Sequence, residues 1–213
     1  MSLLGIGVVL LALVLIGIPI AVSLGLVAIL AMITGPGGAA SLPNVGLVMF
    51  SGATSFPLIA IPLFILAGAI MNASGISRRL VAFASSLVGF VRGGLSMVTI
   101  SASMFFAEIS GSAVADVAAL GSILIPAMKN KGYSSSFAAA VTSSSATLAV
   151  IIPPSIPMIL YGVMSGTSVV ELFVAGIIPG VLGGLMMMLV AYLLARRHNF
   201  PTEQIFKLAR VWE

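Results

Sequence analysis

From Met1 to Ser77 the chain contains no Asp, Glu, Lys, Arg or His. Charged side chains make up about a quarter of an ordinary soluble domain, so this stretch has nothing from which to build a water-facing surface. Residues 132–170 and 172–195 are likewise free of acidic and basic groups. A bilayer core takes roughly 20 apolar residues per helical crossing, and runs of this length hold several. Backbone in hydrocarbon must satisfy its own hydrogen bonds. The reading is an all-α integral membrane protein.

Across the 213 residues, nine basic against five acidic side chains give a net charge of +4. In a soluble protein that balance would suggest nucleic acid. Here the basic residues flank apolar runs, where they set membrane orientation, so the expected partner is the lipid bilayer and not nucleic acid. The absence of Cys excludes disulfides, thiolate metal sites and cysteine nucleophiles. The apolar run at the N-terminus has no basic leader and is too long for a signal h-region, so a retained helix is expected.

A first crossing is expected over 3–33, bent by Pro19 and ended by Gly35-Pro36-Gly37-Gly38. A second covers about 45–71, with Pro57 and Pro62 inside it. Residues 77–92 place Leu80, Phe83, Ala84, Leu87, Val88 and Val91 on one face, with Arg78, Arg79 and Arg92 at the flanks. That pattern suits a helix lying in the interface; a short true crossing is the other reading.

Two apolar arms, about 93–107 and 114–128, are joined by Glu108-Ile109-Ser110-Gly111-Ser112. Arms of about fifteen residues rise some 22 Å, short of a hydrocarbon core of about 30 Å, so a re-entrant helical hairpin over 93–128 is expected. The segment 134–165 is interrupted by Ile152-Pro153-Pro154-Ser155-Ile156-Pro157, which cannot continue a helix and implies a discontinuous helix. The last crossing, about 169–195, ends at Arg196-Arg197-His198. With 77–92 interfacial and 93–128 re-entrant, all nine basic residues fall on one side. The loops near 35–44 and 165–171 carry none. The positive-inside rule then places both termini in the cytoplasm.

Chemistry is concentrated in two places. In Ser110-Gly111-Ser112-Ala113-Val114-Ala115-Asp116, Ser112 and Asp116 share a face if a helix starts near Ser112. Gly111 admits close approach of a ligand, and an intramembrane carboxylate points to function. A cap or internal pair for Asp116 is the alternative. The second place is Ser143-Ser144-Ser145-Ala146-Thr147 before the proline break, where unwound carbonyls and hydroxyls suit sodium. Small hydroxyl residues also serve close helix packing. Glu108 suits proton exchange, completion of a cation site, or a solvated mouth. Met186-Met187-Met188 and Gly183-Gly184 fit helix packing, and His198, the one histidine, fits a solvated helix end.

Phe56-Pro57-Leu58-Ile59-Ala60-Ile61-Pro62-Leu63-Phe64, Ile109 to Asp116, and Ile152-Pro153-Pro154-Ser155-Ile156-Pro157 followed by Tyr161-Gly162 together resemble the N-terminal half of the large permease subunit of tripartite ATP-independent periplasmic (TRAP) transporters, the DctM family. The resemblance implies one repeat of an inverted-repeat elevator transporter importing an organic acid, such as a C4-dicarboxylate or sialic acid, across a bacterial inner membrane. The coupling ion would be sodium, with no bound cofactor. Residues 1–76 would be scaffold helices, 77–92 an interfacial arm helix, 93–166 transport-domain elements, and 167–213 the last crossing and a cytoplasmic tail. Ser110 and Asp116, with carbonyls at Ile152 and Pro154, would hold sodium, and Ser112 and Ser145 would face the substrate. The implied partners are the second half of the large permease subunit, a small four-helix membrane subunit and a periplasmic substrate-binding protein.

Two positions depart from that family's pattern. Ala149-Val150 stands where Gly-Pro is common, so the helix is expected to unwind later here, and Glu108 stands where a small residue is common. Family members are roughly twice this length, with the site between two repeats; the expectation is that residues 1–213 alone do not transport. A non-transporting structural subunit is the alternative. An intramembrane hydrolase is disfavoured because His198 lies at a membrane edge, away from Ser112 and Ser145, and nothing resembles the charged rings of a passive channel.

Overall fold

The computed structural model describes residues 3–198 and Phe200, and every regular element among them is a helix. The chain forms two compact units that divide between Ser55 and Phe56.

The first unit begins with α1 (Leu3–Leu15) and α2 (Ile20–Thr34). The single bent crossing expected over 3–33 is therefore two helices. Pro19 lacks an N–H and crowds the carbonyl four residues back, and Gly17 at φ +90° turns the chain before it. At 13 and 15 residues, the two rise about 20 and 22 Å. Gly35 ends α2, a 3-10 turn covers Gly38–Ser41, and α3 (Pro43–Ala53) starts with proline in its first turn, where no N–H is needed.

The stretch expected over 45–71 is also broken, at Thr54 and Ser55. In the second unit a 3-10 turn at Phe56–Ile59 leads into α4 (Ala60–Ala73). Gly75, at φ +79°, opens α5 (Ile76–Val88), the amphipathic segment expected near 77–92. It stops at Val88, four residues early.

The hairpin is α6 (Gly94–Ser110) and α7 (Ala113–Asn130). Its arms are 17 and 18 residues, longer than expected, because α6 continues through Glu108 to Ser110. Among the described residues, Phe56–Ala73, Ala113–Asn130 and Val169–Arg197 are each long and apolar enough to cross a bilayer. Arm length alone therefore does not make α7 re-entrant, which leaves charge placement as the sequence argument for re-entry.

The discontinuous helix is α8 (Ser135–Ala146), a 3-10 turn at Thr147–Val150, irregular backbone, and α9 (Ile156–Ser165). Unwinding begins at Thr147, earlier than the substitution of Ala149-Val150 for Gly-Pro suggested. Finally α10 (Val169–Arg197) is capped by Ser168, whose hydroxyl accepts the Glu171 N–H at 3.4 Å. The tail beyond Phe200, assigned to the cytoplasm above, lies outside the described residues.

The core of this unit is α6. It packs against α4, α5, α7, α8 and α10, and its residues from Gly94 to Ser103 are all buried. Val98, Ala102 and Phe106 meet Met71, Ala84, Leu120 and Leu124 on one side. Met97, Ile100 and Ala107 meet Leu148, Ala149, Ile152 and Ala191 on the other. Two of its hydroxyls are closed locally: Ser96 donates to the Gly93 carbonyl at 2.7 Å and Thr99 to Leu95 at 2.8 Å. Along α10, Gly176, Gly180 and Gly184 fall four apart on one face. They bring its backbone against Ile151, Ile152 and Met104 respectively, the small-residue packing that membrane helices favour.

Candidate cation and substrate site at the hairpin tip

The turn between α6 and α7 is built on Gly111. Its N–H reaches the Ala107 carbonyl at 3.1 Å and its φ is +59°, the left-handed conformation that closes a helix and favours glycine. A methyl group there would sit 2.9 Å from the Pro154 carbonyl oxygen. The Gly111 carbonyl accepts the Ile156 N–H at 3.2 Å. The first N–H of α9 is one that its own helix cannot satisfy, so the hairpin tip caps α9. The two helix-breaking motifs thus meet directly.

Ser112 caps α7, its hydroxyl accepting the Ala115 N–H at 3.4 Å, which confirms the helix start expected near this residue. Asp116 lies in the first turn, fully buried, where the positive end of the helix dipole offsets part of a negative charge. The Ser110 hydroxyl donates to Asp116 Oδ1 and also accepts the Ser112 N–H at 3.2 Å. Asp116 Oδ2 is buried and has no hydrogen-bond partner among the described residues. An uncompensated buried carboxylate costs several kcal/mol, so this oxygen suits a cation.

Close by, Ser155 is buried and donates to the Val150 carbonyl at 2.7 Å, fixing the irregular backbone. Among the described residues no hydrogen bond reaches the carbonyl oxygens of Ile152 or Pro154. Pro154 touches the tip through Gly111. Ile152 packs into the core against Gly180 and Ala149.

Ser145 sits elsewhere. It is fully buried, pairs with the Ser103 hydroxyl at 2.9 Å and donates to the Thr142 carbonyl at 3.1 Å. No hydrogen bond joins it to Ser112 among the described residues. Ser143, Ser144 and Thr147 are the exposed members of that run. Glu108, read above as part of the polar tip, is an exposed residue in the last turn of α6. His198 is exposed at the end of α10, its ring centroid 5.7 Å from that of Phe200. Sequence reasoning missed Ser103 and Ser155. The Ser155 position inside the proline break was a usable signal; Ser103, among many serines of α6, gave none.

The family described as tripartite ATP-independent periplasmic transporter, DctM component, matches residues 7–213. The C4-dicarboxylate TRAP transporter large permease protein DctM of Vibrio cholerae is 43% identical over 189 residues, 88% of this chain and 41% of that protein. The 2,3-diketo-L-gulonate TRAP transporter large permease protein of Escherichia coli is 46% identical over 77% of this chain and 39% of its own length. An isethionate TRAP transporter permease protein of Oleidesulfovibrio alaskensis is 42% identical over 88% of this chain and 29% of its own. The chain spans less than half the length of these relatives. Three separate apolar spans and a match over nearly the whole sequence make it a multi-pass membrane protein of a transporter family and not of an enzyme family: it belongs to the DctM component of the TRAP transporters.

Proposed function

We propose that the chain is one repeat of a sodium-coupled permease that imports an organic acid by an elevator movement, with α6–α7 and α8–α9 forming half of the transport site. The observation that carries this is the buried Asp116 Oδ2, unpartnered among the described residues, at a hairpin tip docked on an unwound proline segment. Ser110, Asp116 and the unengaged carbonyls of Ile152 and Pro154 supply hard oxygen donors suited to sodium. Broken helices in transporters present such groups to ions and substrates.

Ser112, half-buried at the start of α7, is the better placed of the two proposed substrate contacts. Ser145 would act through Ser103 in holding α8 to α6. The substrate is a carboxylate- or sulfonate-bearing acid, the chemistry named for the relatives. The rest of the large subunit, a small membrane subunit and a periplasmic binding protein complete the assembly. Orientation with both termini in the cytoplasm of a bacterial inner membrane follows from the one-sided basic residues.

The test is uptake into proteoliposomes by the full-length permease with its partners, comparing wild type with Asp116→Asn. The variant removes the charge and keeps the shape. Sodium half-saturation is expected to rise at least about tenfold, which is about 1.4 kcal/mol of lost binding. Unchanged sodium dependence and uptake would remove Asp116 from the site.

A further inference from the structure

A second feature lies apart from the hairpin tip. Between α6, α8 and α10 runs a cavity of about 440 Å³, within the range of roughly 300–1,000 Å³ typical of sites that take a ligand. Its walls include Ile100 of α6, Phe137 and Val141 of α8, and Met187, Val190 and Leu194 of α10. Among the described wall residues Ser144 offers the sole polar side chain, and none is charged. A polar solute therefore finds almost no hydrogen-bonding partner there.

The groove's α10 wall continues into a basic end. Met187, Val190, Leu194 and Arg197 follow one another at helical spacing on one face, and Arg197 is exposed. Arg196 lies beside it, its guanidinium 6.0 Å from the Tyr192 ring centroid. The rings of Tyr133 and Phe200 stack at 4.2 Å, and Phe137 meets Phe200 at 5.1 Å. These contacts hold the end of α10 against the start of α8, so Lys129 in the last turn of α7 and Lys131 just after it lie at the same end of the unit.

We propose that this groove binds an anionic phospholipid, with an acyl chain along the apolar walls and the phosphate at Arg197. The argument is charge complementarity joined to a depth profile. The walls suit hydrocarbon, and the basic end falls where a headgroup would lie. Basic residues near a membrane surface favour anionic lipid by an additive electrostatic contribution. A helix from elsewhere in the permease would fill the walls and leave the basic end without a counter-charge. A zwitterionic lipid would fit the walls equally and gain no preference from the arginines.

The experiment uses the full-length permease in mixed micelles with equal amounts of phosphatidylglycerol and phosphatidylcholine, and counts retained lipids by native mass spectrometry. Wild type is expected to retain phosphatidylglycerol preferentially, and Arg197→Gln to lower that preference about fivefold. Ala140→Trp, which fills the groove from α8, should release both lipids, while Leu193→Trp on α10 outside the groove should release neither. If Ala140→Trp does not elute as a folded species, Ala140→Leu serves in its place. Equal retention of the two lipids by wild type, or a preference unmoved by Arg197→Gln, would overturn the proposal. So would a photo-crosslinker at position 140 that captures polypeptide in place of lipid.

Discussion

The Gly111 carbonyl and the Ile156 N–H, 45 positions apart in sequence, are joined by a hydrogen bond of 3.2 Å. This one contact turns two separate helix breaks into a single structure: the tip of the α6–α7 hairpin is the cap of α9.

Gly111→Ala should therefore damage both elements. The left-handed conformation at φ +59° costs an L-residue about 1–2 kcal/mol, and the added methyl would also press on the Pro154 carbonyl. The expected result is a lower unfolding temperature of the full-length permease in detergent and loss of uptake. Full uptake with unchanged stability would show that the tip does not rest on the break.

Sodium should order the same two segments together. A ligand present at 100 times its dissociation constant adds about 2.7 kcal/mol to the stability of the state that binds it. Replacing choline with sodium should slow amide exchange across 110–116 and 151–156 in parallel. In Asp116→Asn the two segments should exchange alike in both salts. Protection confined to one segment would mean that the ion does not bridge them.

The Ser103–Ser145 pair is open to a double-mutant cycle, because each hydroxyl is buried and the two are 2.9 Å apart. Hydrogen bonds between membrane helices average about 0.6 kcal/mol by this method. A coupling of that order, with sodium dependence preserved in Ser145→Ala, would assign the pair to packing. A large change in substrate half-saturation with unchanged stability would instead return Ser145 to the substrate.

The glycines of α10 should differ sharply in tolerance. A methyl on Gly176 would lie 2.5 Å from the Ile151 carbonyl oxygen, so backbone must shift, whereas on Gly183 it would meet only the end of the Leu148 side chain at 3.3 Å. Gly176→Ala is expected to cost about 1–3 kcal/mol and Gly183→Ala no more than about 0.5 kcal/mol, read from thermal unfolding in one detergent.

Much of this was legible in the residues, and the exceptions have a common cause. Charge-free runs announced the membrane because no soluble surface can be made from them. The Pro153-Pro154 break and the Ser110–Asp116 cluster announced themselves because proline and an intramembrane carboxylate have few other uses. Helix ends were less clear: α6 runs on past Glu108 among the helices that enclose it, and the segment 3–33 parts at Pro19, where proline and Gly17 together break the helix that either alone could only bend. Contacts between distant segments were not legible at all. Periodicity says that Ser103 shares a face with its helical neighbours, and says nothing of a partner 42 positions away. The meeting of Gly111 with Ile156 was hidden for the same reason.

The arrangement around α6 has a consequence for handling the protein. Its enclosed helix carries Ser96, Thr99, Ser101, Ser103 and Ser110, while Ile178, Leu182 and Leu185 of α10 stand exposed. The radial order of a water-soluble bundle is blurred: hydroxyls share the middle with the apolar core, and aliphatic side chains also form the rim. Such a fold is complete only with its solvent. The amphiphile chosen at extraction becomes a component of the folded state, and any stability measured afterwards belongs to the pair.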